Sequence, residues 1–109
     1  MISGSIGRRY AKALLDLARE QNKVEEYLNQ LVSVQNLLNS SKDISFLLSD
    51  PAFESSDRKK VFQTISQKMS LSQSLENFLK LLIDRERISF FDDILGSYQE
   101  QSDDLLKRV

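Results

Sequence analysis

The sequence contains no cysteine and no histidine among its 109 residues. Without cysteine, the chain forms neither a disulfide nor a thiolate metal site. The lack of histidine removes the commonest general base and the commonest metal ligand. Because an ordinary catalytic triad also needs histidine, we predict that the chain is not an enzyme and holds neither a metal nor a cofactor.

Proline and glycine are also scarce. Proline occurs once, at Pro51, and glycine occurs at Gly4, Gly7 and Gly96. The glycines are isolated from one another, which excludes a glycine-rich phosphate-binding loop. Sheets with many turns usually need more of both residue types, so the scarcity favours long helices.

Charge and hydropathy exclude two further classes. The 15 basic and 16 acidic residues nearly balance, and nucleic-acid binding needs a clustered basic excess. We interpret the basic run Arg58, Lys59 and Lys60 as solvated surface. No apolar run approaches the roughly 18 residues of a membrane span, and Lys12 and Asp16 interrupt the only candidate for a signal peptide. We therefore predict no nucleic-acid partner and no direct membrane insertion.

Apolar residues recur at helical spacing nearly everywhere, and two-residue alternation is scarce. The first helix is predicted over residues 4–20. Capping residues predict the starts of five more helices. In chain order these residues are Asn22 with Glu25; Ser40 or Ser41; Ser55, Ser56 or Asp57; Ser70 or Ser72; and Ser89 with Asp92. Asp50 and Pro51 are predicted to end the third helix. The chain is therefore predicted to be all-α: one helical domain over residues 1–109, folded as a compact six-helix bundle whose short connections favour antiparallel neighbours.

The first helix carries more apolar surface than an outer helix needs. At about 100° per residue, one stripe contains Ile6, Tyr10, Ala13 and Leu17. A second stripe, roughly 130° away, contains Ala11, Leu15 and Ala18, with Leu14 between the two. Since one stripe suffices for packing, either the helix is central or one stripe faces a partner.

The fifth predicted helix shows a smaller surplus. Its core face contains Leu75, Phe78, Leu79 and Leu82. Leu81 lies about 120° from that face, and Asn77 and Arg85 share its stripe at four-residue spacing. An exposed leucine beside a stripe of small residues on a neighbouring helix would form a groove of the kind that binds amphipathic helices. The alternative is that both stripes are core.

Three segments carry a family resemblance. They are the RYAKAL segment from Arg9 to Leu14, the LSDP segment that ends at Pro51, and the FLKLLIDRERI segment from Phe78 to Ile88. In this order and spacing they resemble the ATP synthase delta subunit family, called the oligomycin-sensitivity-conferring protein in mitochondria. The resemblance covers essentially the whole chain.

The resemblance implies a non-catalytic stator component of the proton-translocating rotary ATP synthase. It implies that a groove between helices 1 and 5 binds the N-terminal amphipathic helix of the alpha subunit, which links the catalytic head to the peripheral stalk. The family's groove positions correspond to Tyr10, Ala13 and Leu81. Helical periodicity extends the predicted groove to Ile6, Leu17, Asn77 and Arg85.

Further expectations follow from the same resemblance. A C-terminal domain that contacts the b subunit of the peripheral stalk is expected to follow the segment present here, and it is absent from this chain. The protein is expected to be peripheral, on the cytoplasmic face of the bacterial inner membrane, or on the stromal face of the thylakoid in a plastid. The alternative function is a six-helix adaptor of the death-fold kind, which is suggested by the helix count and the balanced charge.

Overall fold

The computed structural model describes residues 4–107, with side chains described as far as Leu105. Within that range the chain forms six α-helices and one 3-10 turn, with no strand. The helices are α1 (Ser5–Glu20), α2 (Val24–Ser40), α3 (Lys42–Ser49), α4 (Ser55–Met69), α5 (Gln73–Asp84) and α6 (Phe91–Lys107), and the 3-10 turn is Ile88–Phe90. The predicted all-α class and the predicted six helices are confirmed.

The described residues form two compact units. Residues 4–33 and 90–107 belong to the first unit, and residues 34–89 belong to the second. The α2 helix begins in the first unit and ends in the second. Each unit has its own buried apolar residues.

In the first unit, α1 packs closely on α6. A Cβ atom at Gly7 would lie 3.1 Å from the Cβ atom of Asp93, so glycine permits this approach. Further along, the Gln101 side-chain amide donates to the Arg8 carbonyl at 3.4 Å, and Arg19 lines a surface cleft with Asp104. The two helices therefore run in the same direction. The antiparallel arrangement predicted from short connections does not extend to this pair, whose helices are far apart in sequence.

The core of the first unit also contains two buried tyrosines. The Tyr98 hydroxyl donates to the Val24 carbonyl at 2.7 Å, and the Tyr27 hydroxyl donates to the side chain of Gln21. Burial, with a smaller contribution from Tyr27, raises the pKa of Tyr98 to about 12. These two hydroxyls secure the start of α2 and the turn before it. The other buried apolar residues of this unit are Ala11, Leu14, Leu15, Ala18, Leu31, Phe91, Ile94 and Leu95.

In the second unit, α4 and α5 form an antiparallel pair. The Ser55 hydroxyl at the start of α4 donates to the Asp84 carboxylate at the end of α5, at 3.0 Å. At the other end, the Ser66 hydroxyl donates to the Glu76 carboxylate at 2.6 Å. The apolar core of this unit contains Val34, Leu48, Phe62, Leu75, Leu79, Leu82, Ile83 and Ile88.

The predicted role of Asn22 is wrong. Asn22 has φ 56, and its N–H donates to the Arg19 carbonyl at 3.2 Å. The next N–H, of Lys23, donates to the Ala18 carbonyl at 2.8 Å. This is the Schellman arrangement that ends a helix, so Asn22 ends α1 instead of capping α2. Asparagine tolerates the left-handed region because its short polar side chain hydrogen-bonds locally.

Two other helices end in the same way without glycine. Ser70 has φ 57, and the following N–H of Leu71 donates to the Ser66 carbonyl at 3.1 Å. Glu86 has φ 58, and the following N–H of Arg87 reaches the Leu82 carbonyl at 2.7 Å. Of the two serines predicted to start the fifth helix, Ser72 is its N-cap.

Among the remaining predicted helix boundaries, those of α3 are confirmed and the starts of α4 and α6 are wrong. The Ser41 hydroxyl accepts from the Ile44 N–H at 3.4 Å, which confirms Ser41 as the cap of α3, and that helix ends at Ser49 before Asp50 and Pro51 as predicted. The N-cap of α4 is Glu54, and Ser55 is the first residue of the helix, with its hydroxyl donated to Asp84 on α5. Ser89 lies inside the 3-10 turn and does not cap α6, which begins one residue later than a Ser89 cap predicts, at Phe91.

The interpretation of Arg58 as solvated surface is wrong. Its side chain is only 2% exposed and ion-pairs with Glu86 at 2.6 Å. Its Nε atom donates to the Phe53 carbonyl at 3.0 Å, and its Nη1 atom donates to the carbonyls of Leu48 at 3.2 Å and Ile83 at 3.4 Å. A guanidinium has five N–H donors in a planar fork, so one side chain joins the end of α3, the loop that follows it and the end of α5.

Candidate docking faces

The α1 helix buries one apolar stripe fully and the other only in part. Ala11, Leu14, Leu15 and Ala18 are at most 6% exposed. On the stripe predicted for a partner, Ile6, Tyr10 and Leu17 are half-buried and Ala13 is exposed. These four residues, called the α1 stripe below, lie on one side of a single regular helix. The structure thus distinguishes the two stripes, which the sequence pattern left equivalent.

The two apolar stripes of α1 differ in burial because α6 covers only one side of the helix. Gly7 faces Asp93 of α6. Ala11, Leu14 and Ala18 follow Gly7 at spacings of four, seven and eleven residues, which return to the same side of a helix. The α1 stripe lies on a different side of the helix, where Ala13 presents only a methyl group to solvent.

On α5, the three residues predicted for a partner are all exposed. Asn77 and Arg85 are exposed, and Leu81 is 39% exposed, whereas Leu75, Leu79 and Leu82 on the core side are fully buried. The set Asn77, Leu81 and Arg85, called the α5 face below, therefore lies opposite the packed side of its helix. Four-residue spacing aligns the three side chains along one line of the helix surface.

Polar contacts orient parts of the α5 face. The Gln73 side-chain amide donates to the Asn77 Oδ1 atom at 3.0 Å, which leaves the Asn77 amide hydrogens directed elsewhere. The Arg85 N–H donates to the Leu81 carbonyl at 3.0 Å and so belongs to the last turn of the helix. Beside it, the Asp84 carboxylate binds the Lys59 ammonium at 3.2 Å. The hydrogen bonds from Lys59 and from Ser55 lower the pKa of Asp84.

A second carboxylate is held inside the α4–α5 pair. Glu76 is 7% exposed, accepts from the Ser66 hydroxyl and forms an ion pair with Lys80 at 3.0 Å. The hydrogen bond from Ser66 is the main reason that the pKa of Glu76 is lowered, with Lys80 contributing in the same direction. These contacts are satisfied within the unit, so Glu76 stabilises the helix pair and is not a candidate for chemistry.

Sequence reasoning missed two exposed aromatic residues. Phe46 on α3 is 65% exposed, and Phe53 in the following loop is 44% exposed. With Leu81, these are the large hydrophobic side chains that the structure leaves exposed among residues 4–105. A signal for Phe46 was present, because helical spacing places it away from Ile44 and Leu48. No sequence signal distinguished Phe53.

The faces contain no feature of a metal or membrane site. Among the described residues, no group of three or more acidic side chains is arranged to hold a metal ion. In the same part of the chain, every helix is too short or too polar to cross a membrane. Aromatic and aliphatic side chains bordered by charges are suited to contact another protein surface.

Comparisons with known proteins identify the relatives of this chain. Residues 6–109 match a family model described as ATP synthase delta (OSCP) subunit. The chain is 35% identical over 109 residues to ATP synthase subunit delta of Syntrophus aciditrophicus (strain SB), covering 100% of this chain and 60% of that protein. It is 39% identical over 105 residues to ATP synthase subunit delta of Geobacter metallireducens, covering 96% of this chain and 58% of that protein. The chain thus spans about three-fifths of the length of these curated relatives.

Proposed function

Because this chain belongs to the ATP synthase delta (OSCP) subunit family, we propose that it acts as a non-catalytic stator component of a proton-translocating rotary ATP synthase. Rotary catalysis exerts torque on the catalytic head, and a stator resists that torque. Such a role requires a tight protein interface and no reactive side chain. The absence of histidine and cysteine from the sequence is compatible with it.

The proposed partner is the N-terminal amphipathic helix of the alpha subunit. In this proposal the α1 stripe and the α5 face both contact that helix. The observation that carries the proposal is the incomplete burial of the α1 stripe, in contrast to the fully buried opposite stripe. The exposed Leu81 supports a second contact line on α5. Amphipathic helices dock through apolar anchors at three- and four-residue spacing, which both faces provide.

Individual residues would contribute in different ways. Ala13 would let the partner backbone approach closely, because its side chain is a single methyl group. Tyr10 would supply a large apolar ring whose hydroxyl stays near the polar rim, a combination common at interfaces. Ile6 and Leu17 would extend the contact by one turn in each direction.

The test is a calorimetric titration of the chain with synthetic peptides. The peptides are the alpha-subunit N-termini of the Geobacter metallireducens and Syntrophus aciditrophicus ATP synthases. We expect heat release and a dissociation constant in the micromolar range or tighter, with Ala13→Trp abolishing binding while helicity is unchanged. Arg19→Trp, on an exposed part of α1 away from the stripe, is the matched control and should bind normally. Absence of binding to both peptides would refute the docking proposal.

The remaining contacts and the location complete the proposal. The b subunit of the peripheral stalk would bind the part of the family's length that this chain does not span. The complex would place the protein peripherally on the cytoplasmic face of a bacterial inner membrane, or on the stromal face of the thylakoid in a plastid. Membership of the delta family, matched over residues 6–109, leaves the death-fold adaptor without a supporting observation.

A further inference from the structure

Two charged residues border the α1 stripe at its opposite ends. Arg9 lies three residues after Ile6 and four before Ala13, and Glu20 lies three residues after Leu17. At these spacings side chains are neighbours on a helix surface. Both charges are exposed. Within residues 4–105, the Arg9 and Glu20 side chains make neither a hydrogen bond nor an ion pair, so both remain available to a bound partner.

Two of the three charged residues between them pair with each other. Lys12 and Asp16 form an exposed ion pair at 2.9 Å, and Arg19 lines a cleft with Asp104 of α6. The charges that border the stripe are therefore positive at Arg9 and negative at Glu20. Arg9 and Glu20 are separated by three turns, or about 16 Å at 1.5 Å per residue. A partner helix has the same rise, so two of its residues eleven positions apart would face these charges together.

We propose that Arg9 and Glu20 determine the direction in which an amphipathic helix binds the α1 stripe. The bound helix places a carboxylate against Arg9 and a cation against Glu20. Reversal of the helix brings like charges together at both ends. This inference rests on the proposed docking function and adds the polarity of the partner to it. Because both charges are exposed, they select the direction more than they add to affinity.

The experiment uses two designed helical peptides with one shared, direction-symmetric apolar face of leucine and alanine. One peptide carries glutamate near its N-terminus and lysine eleven residues later, and the other carries the same two residues exchanged. A paramagnetic label at the peptide N-terminus broadens nearby amide signals of the isotope-labelled chain. We expect broadening near Arg9 with the first peptide and near Glu20 with the second.

Protein variants then test the cause. In the double variant Arg9→Glu and Glu20→Arg, each peptide should bind in the reverse direction. The first peptide should then broaden amide signals near residue 20, and the second should broaden those near residue 9. The matched control, Lys12→Glu with Asp16→Lys, reverses an ion pair in place and should leave the broadening where it was. The single variant Arg9→Gln should weaken binding of the first peptide about two- to fivefold at low salt, and salt should remove the difference.

The outcomes separate the two proposals. If neither peptide binds the unmodified chain, the α1 stripe is not a docking face and both proposals fail. If both peptides bind but the label broadens the same end in every combination, docking stands and the role of Arg9 and Glu20 is refuted. Exchange of the ends in the Lys12 and Asp16 control would also refute it, because the direction would then follow a different charge pair.

Discussion

Replacing Arg58 should be among the most damaging changes in the second unit. The guanidinium is 2% exposed beside Glu86 and donates to the carbonyls of Phe53, Leu48 and Ile83. Arg58→Met keeps much of the side-chain volume and removes every donor. We therefore expect a large loss of stability without a large cavity.

The magnitude follows from what the substitution leaves behind. A buried acceptor without a partner costs about 1–3 kcal/mol, and breaking a buried pair by removing one member costs about 3–5 kcal/mol. The Glu86 side chain is 48% exposed, so water solvates the carboxylate once Arg58 is gone. We expect Arg58→Met to lower the free energy of unfolding by about 3–4 kcal/mol, chiefly because the carbonyls of Leu48 and Phe53 lose their donor. The Ile83 carbonyl still accepts from the Glu86 N–H at 3.1 Å.

Two further variants separate the carbonyl contacts from the ion pair. Glu86→Gln keeps an acceptor for the guanidinium and removes the charge, so we expect a loss of only about 1 kcal/mol. Arg58→Lys keeps the charge but lacks the planar fork, and its loss should fall between the other two. The measurement is urea denaturation followed by circular dichroism, with linear extrapolation. If Glu86→Gln costs as much as Arg58→Met, the ion pair dominates and the reasoning from the carbonyls is wrong.

Of three other predictions, two concern backbone conformation and packing at glycine and serine positions, and the third concerns a titrating tyrosine. Gly96→Ala should raise the free energy of unfolding by about 0.5–1 kcal/mol, because nothing lies within 4 Å of the added Cβ atom. Gly7→Ala should lower it, since its Cβ atom would lie 3.1 Å from Asp93. If both variants change the free energy of unfolding equally in urea denaturation, the close approach at Gly7 is refuted. Ser70→Gly should stabilise by about 1 kcal/mol, because glycine adopts positive φ without steric cost, and an unchanged urea midpoint would contradict this. The pKa of Tyr98 is raised from 10.0 to about 12, so the folded state retains a proton that the unfolded state loses. Stability should therefore fall on the order of 2 kcal/mol as pH rises over this interval, and Tyr98→Phe should make the fall shallower.

Several helix boundaries were predictable because the signals that set them are local. The apolar spacing, the Ser41 cap and the sequence Asp50-Pro51 act over three or four residues, and the structure confirms each of them. Asn22 shows where local signals become ambiguous, because asparagine suits both an N-cap and a left-handed helix end. The backbone hydrogen bonds from Asn22 to Arg19 and from Lys23 to Ala18 distinguish the two roles, and α2 begins at Val24.

The candidate site was predictable only in part. Periodicity showed that α1 has two apolar stripes, but it contained no information on which stripe α6 covers. That choice follows from the contact of Gly7 with Asp93, which lie 86 positions apart in the sequence. The joint binding of one partner by the α1 stripe and the α5 face stays a prediction that the peptide titration tests.

The sequence by itself determined the helical class, the absence of cysteine and histidine chemistry, and the residues that could face a partner. Each of these depends on composition or on contacts within a few helical turns. The tertiary structure alone decided that Arg58 is buried while Lys60 in the same basic run is exposed. It also decided that Ala11 is core while Ala13 is not. Burial depends on which distant segments pack against a side chain, and residues adjacent in sequence point to different sides of a helix.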